Sequence, residues 1–182
     1  MKIKEIKNPD LIEVGKIVLN KGKQKRNLNI EYSTSLTKTQ KKDNSSRIYF
    51  ISVNNIIKKI GGSNAVGGIK NTFSFYMSGN CGRPSLRTFG INLLIEQELK
   101  KGKSIVIHMI LIPRVNITMF GMFEETKKEV SIAHNLIESS LIEEYNNRCG
   151  KFPDWNFQEG GVKWPQDVYT AFIEYNNKKE SH

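Results

Sequence analysis

The chain has 182 residues, of which 38% are hydrophobic and 25% charged, and a formal net charge of +10. This length and composition predict one folded domain with a proper core and exclude two full domains. No apolar run is long enough to span a membrane, and the start MKIKEIKNPD does not resemble a signal peptide. The two isolated cysteines fit a reducing compartment. We therefore expect a cytoplasmic protein without membrane contact.

The N-terminal part is strongly basic, because residues 1–47 hold 12 lysines and arginines against 5 carboxylates. Two β-branched runs, 11–19 and 28–36, predict the strands of a separate hairpin, joined by the basic segment 21–26. Such an excess attracts polyanions, although a lysine-rich solubilising surface has the same composition. We expect this hairpin to be an arm that grips DNA through four cations, Lys21, Lys23, Lys25 and Arg26.

A second hairpin is predicted over 47–61, RIYFISVNNIIKKIG. Two apolar runs flank Asn54-Asn55, a pair suited to the positive backbone angles of a tight turn. A two-residue turn sends Lys59 to the face opposite Tyr49, whereas a three-residue connection, 53–55, pairs the two side chains directly. We predict the three-residue connection, because only that register brings the phenol and the amine together.

The remaining elements follow from apolar periodicity and from Gly and Pro punctuation. They are a polar linker at 37–46, a short helix at 69–77, a helix over 84–101, a buried strand over 104–113, a long helix over 124–147 and an amphipathic helix near 166–175. This order predicts an α+β fold, in which a small antiparallel sheet is flanked by helices and carries the N-terminal β-hairpin arm.

The second hairpin carries Ile48-Tyr49 on its first strand and Lys59-Ile60-Gly61 on its second. This pattern resembles the hairpin that opens the GIY-YIG nuclease domain, with Arg47 in place of the first glycine and Lys59 in place of the second tyrosine. The lysine is similar to a replacement found in some restriction enzymes of that family. The resemblance implies a nuclease core over 47–157 that hydrolyses DNA phosphodiester bonds.

By the same resemblance, Tyr49 would activate the attacking water, and Lys59 would supply a cation to the phenol and the phosphate. The alternatives are a half-buried strand aromatic and a solvated lysine. The arginine that stabilises charge on the scissile phosphate in the family is absent at the expected spacing. Three residues are candidates for its role, in the order Arg87, Arg83 and Lys70.

The segment 135–156, NLIESSLIEEYNNRCGKFPDWN, resembles the second half of the family domain, with a carboxylate on a helix followed by a Trp-Asn loop. This resemblance implies that Glu138 binds a single divalent ion, Mg²⁺ or Mn²⁺, and that Asn156 supports the site. His134 lies one turn before Glu138 and is interpreted as a surface residue beside the site. The helical count puts the competing carboxylates Glu143 and Glu144 nearer the solvent.

Other nuclease chemistries fit less well. The triplet Glu125-Thr126-Lys127 has the spelling of a PD-(D/E)xK site but is expected to begin a helix. Three histidines without close spacing give little basis for an HNH or zinc site.

These patterns together predict a metal-dependent, sequence-specific endonuclease of double-stranded DNA, of the type II restriction kind, acting as a homodimer without a small-molecule cofactor. The expected division is a basic β arm and linker at 1–46, the nuclease core at 47–157 and a C-terminal helical extension at 158–182. Since the arginine is missing at the expected spacing, an inactive basic DNA- or RNA-binding module is the alternative.

Overall fold

The computed structural model describes residues 1–22, 25–157 and 159–180. Its strands are β1 (Ile12–Leu19), β2 (Leu28–Tyr32), β3 (Arg47–Val53), β4 (Ile56–Ser63), β5 (Ile105–Leu111), β6 (Arg114–Phe120) and β7 (Glu125–Ser131). Its α-helices are α1 (Lys38–Lys42), α2 (Gly68–Met77), α3 (Leu86–Lys100), α4 (His134–Cys149) and α5 (Gln166–Glu180). Single 3-10 turns lie at Ile3–Glu5 and Glu159–Gly161.

Five strands form one antiparallel sheet in the order β2-β1-β5-β3-β4. Strand β3 lies inside this sheet, and every one of its residues is buried. Helices α2 and α3 cover one face, where Ile69, Phe73 and Ile91 join the core. Helix α4 covers the other face with Ile142 and Tyr145. The predicted α+β fold, a small antiparallel sheet flanked by helices, is confirmed.

The sequence located most helices correctly. Helix α3 begins after Ser85, whose hydroxyl accepts a hydrogen bond from the Thr88 amide as an N-cap. The short helix predicted at 69–77 is present as α2, and the C-terminal helix is present as α5, which extends to Glu180. In the described ranges, no helix combines the length and apolar character needed to cross a membrane.

The N-terminal hairpin forms as predicted, but it is not a separate arm. Strand β1 pairs with β2 on one side and with β5 of the main sheet on the other. The physical reason lies in its apolar side chains, since Val14, Ile17, Leu28 and Ile30 are all buried in the common core. A hairpin that contributes this much apolar surface gains more from the sheet than from projecting into water.

The long helix predicted over 124–147 is wrong in its first third. Residues Glu125–Ser131 form β7, which pairs with β6, a strand that the sequence analysis did not predict. The acidic start suggested a helix N-terminus, yet the preceding run RVNITMF alternates apolar and polar residues as a strand does, and β7 pairs with it across the turn at 121–124. The triplet Glu125-Thr126-Lys127 therefore lies on a strand rather than on a helix.

Arg47 is a structural residue at the start of β3. Its side chain is fully buried, and its guanidinium donates hydrogen bonds to the carbonyl oxygens of Asp43, Ser45 and Ala65 and to the Thr72 hydroxyl. These bonds tie the loop before β3 to the loop and helix that follow β4. The burial of a charged group is tolerated because each donor has a partner.

Candidate active site

The turn between β3 and β4 has two residues, Asn54-Asn55, with φ values of 46° and 66°. The predicted three-residue connection is therefore wrong. However, Lys58 is an extra, unpaired residue, and beyond it Ile51 pairs with Lys59. Because such a bulge reverses the alternation of side chains, Lys59 lies on the same face as Tyr49, although the two are not directly opposite.

A distant loop holds this bulge in place. The carbonyl of Lys58 accepts a hydrogen bond from the Trp155 amide (2.7 Å), and the Lys58 amine pairs with Asp154 (2.6 Å). The buried amide of Asn156 receives a hydrogen bond from the Ile60 N–H and donates one to the Ile60 carbonyl, both at 2.8 Å. The loop thus pairs with β4 on both sides of the residue that turns inward.

Replacing Asn156 by alanine is expected to lower the free energy of unfolding by about 2–6 kcal/mol, because two buried backbone groups lose their partners at roughly 1–3 kcal/mol each. Urea unfolding measures the change, with Asn147→Ala on the exposed side of α4 as the control. Equal stabilities of the two variants would contradict the role of the Asn156 amide.

Three polar side chains from separate elements meet in one pocket of about 110 Å³. They are Lys59 from β4, Arg87 from the first turn of α3 and Glu138 from α4. The rest of the wall consists of Asn156 and Glu159 with an apolar set, Ile91, Trp155, Phe157 and Trp164. The pocket therefore brings an amine, a guanidinium and a carboxylate together beside four apolar side chains.

The amine of Lys59 is unusual because only 4% of the residue is exposed. Burial, together with the neighbouring Arg87 cation, lowers its pKa to about 8, although Glu138 and Glu159 partly offset this effect. At that pKa an appreciable fraction of the amine is neutral near pH 7. Lys59 can therefore accept a proton as well as carry a charge.

Arg87 is anchored by tyrosines. The Tyr76 oxygen, and after it those of Tyr49 and Glu138, raise the pKa of Arg87, so its guanidinium stays charged although burial opposes this. The hydroxyls of Tyr76 and Tyr49 lie 3.0 Å apart in the core behind the pocket. The Arg87 guanidinium lies beside this pair of phenols.

Tyr49 is buried and does not line the pocket. Its ring is buried against Gly61, where any side chain would collide with it, and it makes edge contacts with Phe73 and Tyr76. Burial, with a further contribution from Tyr76, raises the pKa of Tyr49 well above 10. The buried phenol is therefore in its protonated form near pH 7.

Glu138 lies close to Gly62 of the β3–β4 hairpin. A side chain at position 62 would lie 2.8 Å from a Glu138 oxygen and 2.5 Å from the His134 ring, so both residues pack against glycine backbone. His134 thus lies beside Glu138, as expected, whereas Glu143 and Glu144 are exposed. Glu138 is therefore the least exposed of the three carboxylates, and its role in the site stays a prediction.

Glu138 is also the residue that could hold a metal ion. Its carboxylate offers hard oxygen atoms, and Mg²⁺ accepts one or two carboxylates because it retains several waters. Across the ranges that the structure describes, no cluster of three or more metal-ligating side chains occurs. The pocket therefore fits a Mg²⁺ or Mn²⁺ ion held by one carboxylate, and does not fit a zinc site.

The other candidates for the arginine role lie elsewhere. Arg83 is exposed in the loop between α2 and α3, and Lys70 is exposed on α2. Of the three candidates, only Arg87 lines the pocket with Lys59 and Glu138.

Lys70 instead belongs to a basic groove of about 630 Å³ between β2, α1 and α2. Lys25, Arg26 and Lys41 share this groove, and the Lys41 amine lies 3.3 Å above the Tyr32 ring. None of the described side chains that line the groove is a carboxylate. Lys21 is exposed near its end, and Lys23 lies outside the described residues.

Two residues of the site were missed from the sequence. The sequence places Tyr76 only in a short helix and Glu159 only in the C-terminal extension. Neither has a local signal, because each reaches the site through the packing of α2 and of the segment after Asn156.

No protein-family model matches the chain, and no curated protein matches it in sequence. Among solved structures, a mutant form of EndoII from bacteriophage T4 matches with a TM-score of 0.58 and 18% identity, covering 86% of this chain and 100% of that chain. The chain is similar to EndoII in fold. The restriction endonuclease HPY188I, in complex with product DNA, matches with a TM-score of 0.49 and 18% identity over 87% of each chain.

Proposed function

We propose that the chain is a metal-dependent endonuclease of the GIY-YIG type that hydrolyses phosphodiester bonds in double-stranded DNA. The observation that carries this proposal is the convergence of Lys59, Arg87 and Glu138 in one small pocket. These groups provide a base for water, a cation for the phosphate and a ligand for a hard metal ion. The similarity in fold to EndoII, an endonuclease, is consistent with this activity.

In the proposed reaction, the neutral amine of Lys59 takes a proton from the attacking water. Its pKa of about 8 makes the neutral form available near pH 7, whereas the buried phenol of Tyr49 remains protonated. Lys59 is therefore the base in this proposal, and Tyr49 holds Tyr76. Asn156 positions the strand on which Lys59 lies.

Arg87 would donate hydrogen bonds to the oxygens of the scissile phosphate, where negative charge builds up in the transition state. Its planar guanidinium can bind two phosphate oxygens at once, which a lysine cannot do. Glu138 would hold Mg²⁺ or Mn²⁺. When bound, such an ion supplies a Lewis acid for the phosphate.

The basic groove is the proposed binding surface for the DNA backbone. Its four cations, Lys25, Arg26, Lys41 and Lys70, face a carboxylate-free wall, and such a set favours phosphates in a salt-dependent manner. Helix α2 links the groove to the pocket, because it presents Lys70 to the groove and Tyr76 to the tyrosine pair behind Arg87. A duplex bound along the groove would thus continue toward the pocket.

We also propose that the protein cuts DNA at a specific sequence, as restriction enzymes do, and that it acts as a homodimer. The core at 47–157 would carry the chemistry, and the segments 1–46 and 158–182 would contribute contacts to DNA or to a second subunit. A two-fold assembly suits the cutting of both strands at a symmetric site.

The experiment that tests this function is digestion of DNA of known sequence by the purified protein with Mg²⁺, against an EDTA control. Discrete fragments that appear only with Mg²⁺ are expected. A smear would contradict the sequence-specific part of the proposal. Binding of DNA without any metal-dependent cutting would contradict the endonuclease itself and favour the binding module.

A further inference from the structure

Strands β6 and β7 form a two-stranded ribbon, 114–131, that is hydrogen-bonded to neither edge of the main sheet. Every residue of β6 is exposed, and so is every residue of β7 except Val130, which is half-buried. Isolated two-stranded hairpins are marginally stable in water. The ribbon therefore needs a partner that covers it.

One face of the ribbon is apolar. The register pairs Val115 with Val130, Ile117 with Lys128 and Met119 with Thr126, so these side chains share a face with Lys128 as its only charge. At the tip, Met122 and Phe123 are both 91% exposed, whereas Phe120, 81% exposed, lies on the opposite face of the ribbon. Monomeric proteins rarely expose a contiguous apolar patch of this kind.

The charges of the ribbon indicate which partner covers it. Residues 114–131 carry three cations and three carboxylates, within a chain whose net charge is +10: Arg114, Lys127, Lys128, Glu124, Glu125 and Glu129. A ribbon that entered a DNA groove would need a positive surplus. A balanced ribbon with an apolar face is instead complementary to itself, as a two-fold interface requires.

We propose that this ribbon is a dimerisation element that packs against the same ribbon of a second copy through Val115, Ile117, Met119 and Val130. Seven-residue strands give a face about 24 Å long. Phe123, at the tip, buries about 150–250 Å² when covered. The apolar face and the tip therefore supply a substantial part of the roughly 800 Å² that one partner contributes to a standard interface.

The dimer contact has a direct connection to the pocket. Strand β7 ends at Ser131, and α4, which carries Glu138, begins at His134. Pairing of two ribbons would therefore hold the starts of two α4 helices in a fixed relation. This inference concerns assembly and does not depend on the chemistry proposed for the pocket.

Light scattering coupled to size exclusion, over a concentration series, tests the proposal. The wild-type chain is expected at twice the mass of one chain. Ile117→Glu adds a carboxylate opposite Lys128, which keeps the hairpin paired but puts charge in the interface, and is expected to raise the dimer dissociation constant at least 100-fold. Thr118→Glu makes the same change opposite Lys127 on the other face and is expected to remain dimeric.

Three outcomes would overturn the proposal. One is a monomeric wild-type chain at about 100 μM. Another is the same oligomeric state for Ile117→Glu and Thr118→Glu, whether both are dimers or both monomers. The third is a monomer whose affinity for DNA falls in Ile117→Glu alone, which would assign the apolar face to DNA. Phe123→Ser, at the tip, gives an independent variant that leaves the strands unchanged and is expected to weaken the dimer.

Discussion

Replacing Glu138 by alanine is expected to reduce Mg²⁺-dependent cleavage by about a thousandfold or more, because it removes the proposed metal ligand from the pocket. Affinity for DNA is expected to persist or to rise slightly, since the change removes a negative charge beside the phosphate. Single-turnover cleavage of a plasmid measures the rate, and a filter-binding assay at matched salt measures the affinity.

The matched control is Glu143→Ala, which removes an exposed carboxylate from the same helix. It is expected to leave cleavage within a factor of two or three of wild type. Metal-dependent cutting by Glu138→Ala at a rate near that of Glu143→Ala would refute the assignment of the metal ligand.

Replacing Lys59 by methionine is expected to slow cleavage by about 10²–10⁴-fold, the usual contribution of a general base. For the wild type, the logarithm of the rate is expected to rise with pH up to about 8 and then to level off. The rate rises with pH because burial and the Arg87 cation lower the pKa of Lys59 to about 8. Above that pH the neutral amine, which can accept a proton, is the dominant form. A rate that falls above pH 8 would show that the ammonium form is the active one.

A stability measurement distinguishes the loss of the proposed base in Lys59→Met from misfolding of the variant. The pKa of Lys59 is lower in the folded state than in the unfolded chain. Below pH 8 the amine is charged in both states, so the full cost of burying this charge lowers the free energy of unfolding. Lys59→Met is therefore expected to be at least as stable as wild type at pH 7. Lys16→Met, an exposed lysine on β1, is the control and should change neither rate nor stability greatly.

The hairpin shows how far local sequence leads. The runs around Asn54-Asn55 predicted two strands and a tight turn, and both are present. The facing of Lys59 could not be predicted, because it depends on the bulge at Lys58. That bulge is held by Trp155 and Asn156, which are 97 and 96 residues away from their partners on β4 in the chain.

The pocket was predictable where a residue type was rare in its neighbourhood. Arg87 stood out at the start of a well-marked helix, and Glu138 could be separated from Glu143 by helical periodicity. Tyr76 and Glu159 could not be found, since their positions depend on tertiary packing. Sequence also does not show how deeply the strand aromatic Tyr49 is buried, and the role predicted for it stays a prediction.

The ribbon at 114–131 is a region whose structure was not predicted correctly from the sequence. Its acidic residues at 124–125 fit the rule for a helix N-terminus, and that rule was applied where a strand alternation was also present. Val115, Ile117 and Met119 alternate with polar residues, and this period of two is the strand signal that the sequence did contain.

The measurement that tests the central claim most directly is a crystal structure of the protein with a DNA duplex from its digest and Ca²⁺, a hard cation that prefers oxygen ligands. The proposed site predicts a phosphate oxygen about 3 Å from an Arg87 nitrogen and the cation about 2.3–2.6 Å from a Glu138 oxygen. Phosphates bound only along the basic groove, with none in hydrogen-bonding reach of Arg87, would contradict it.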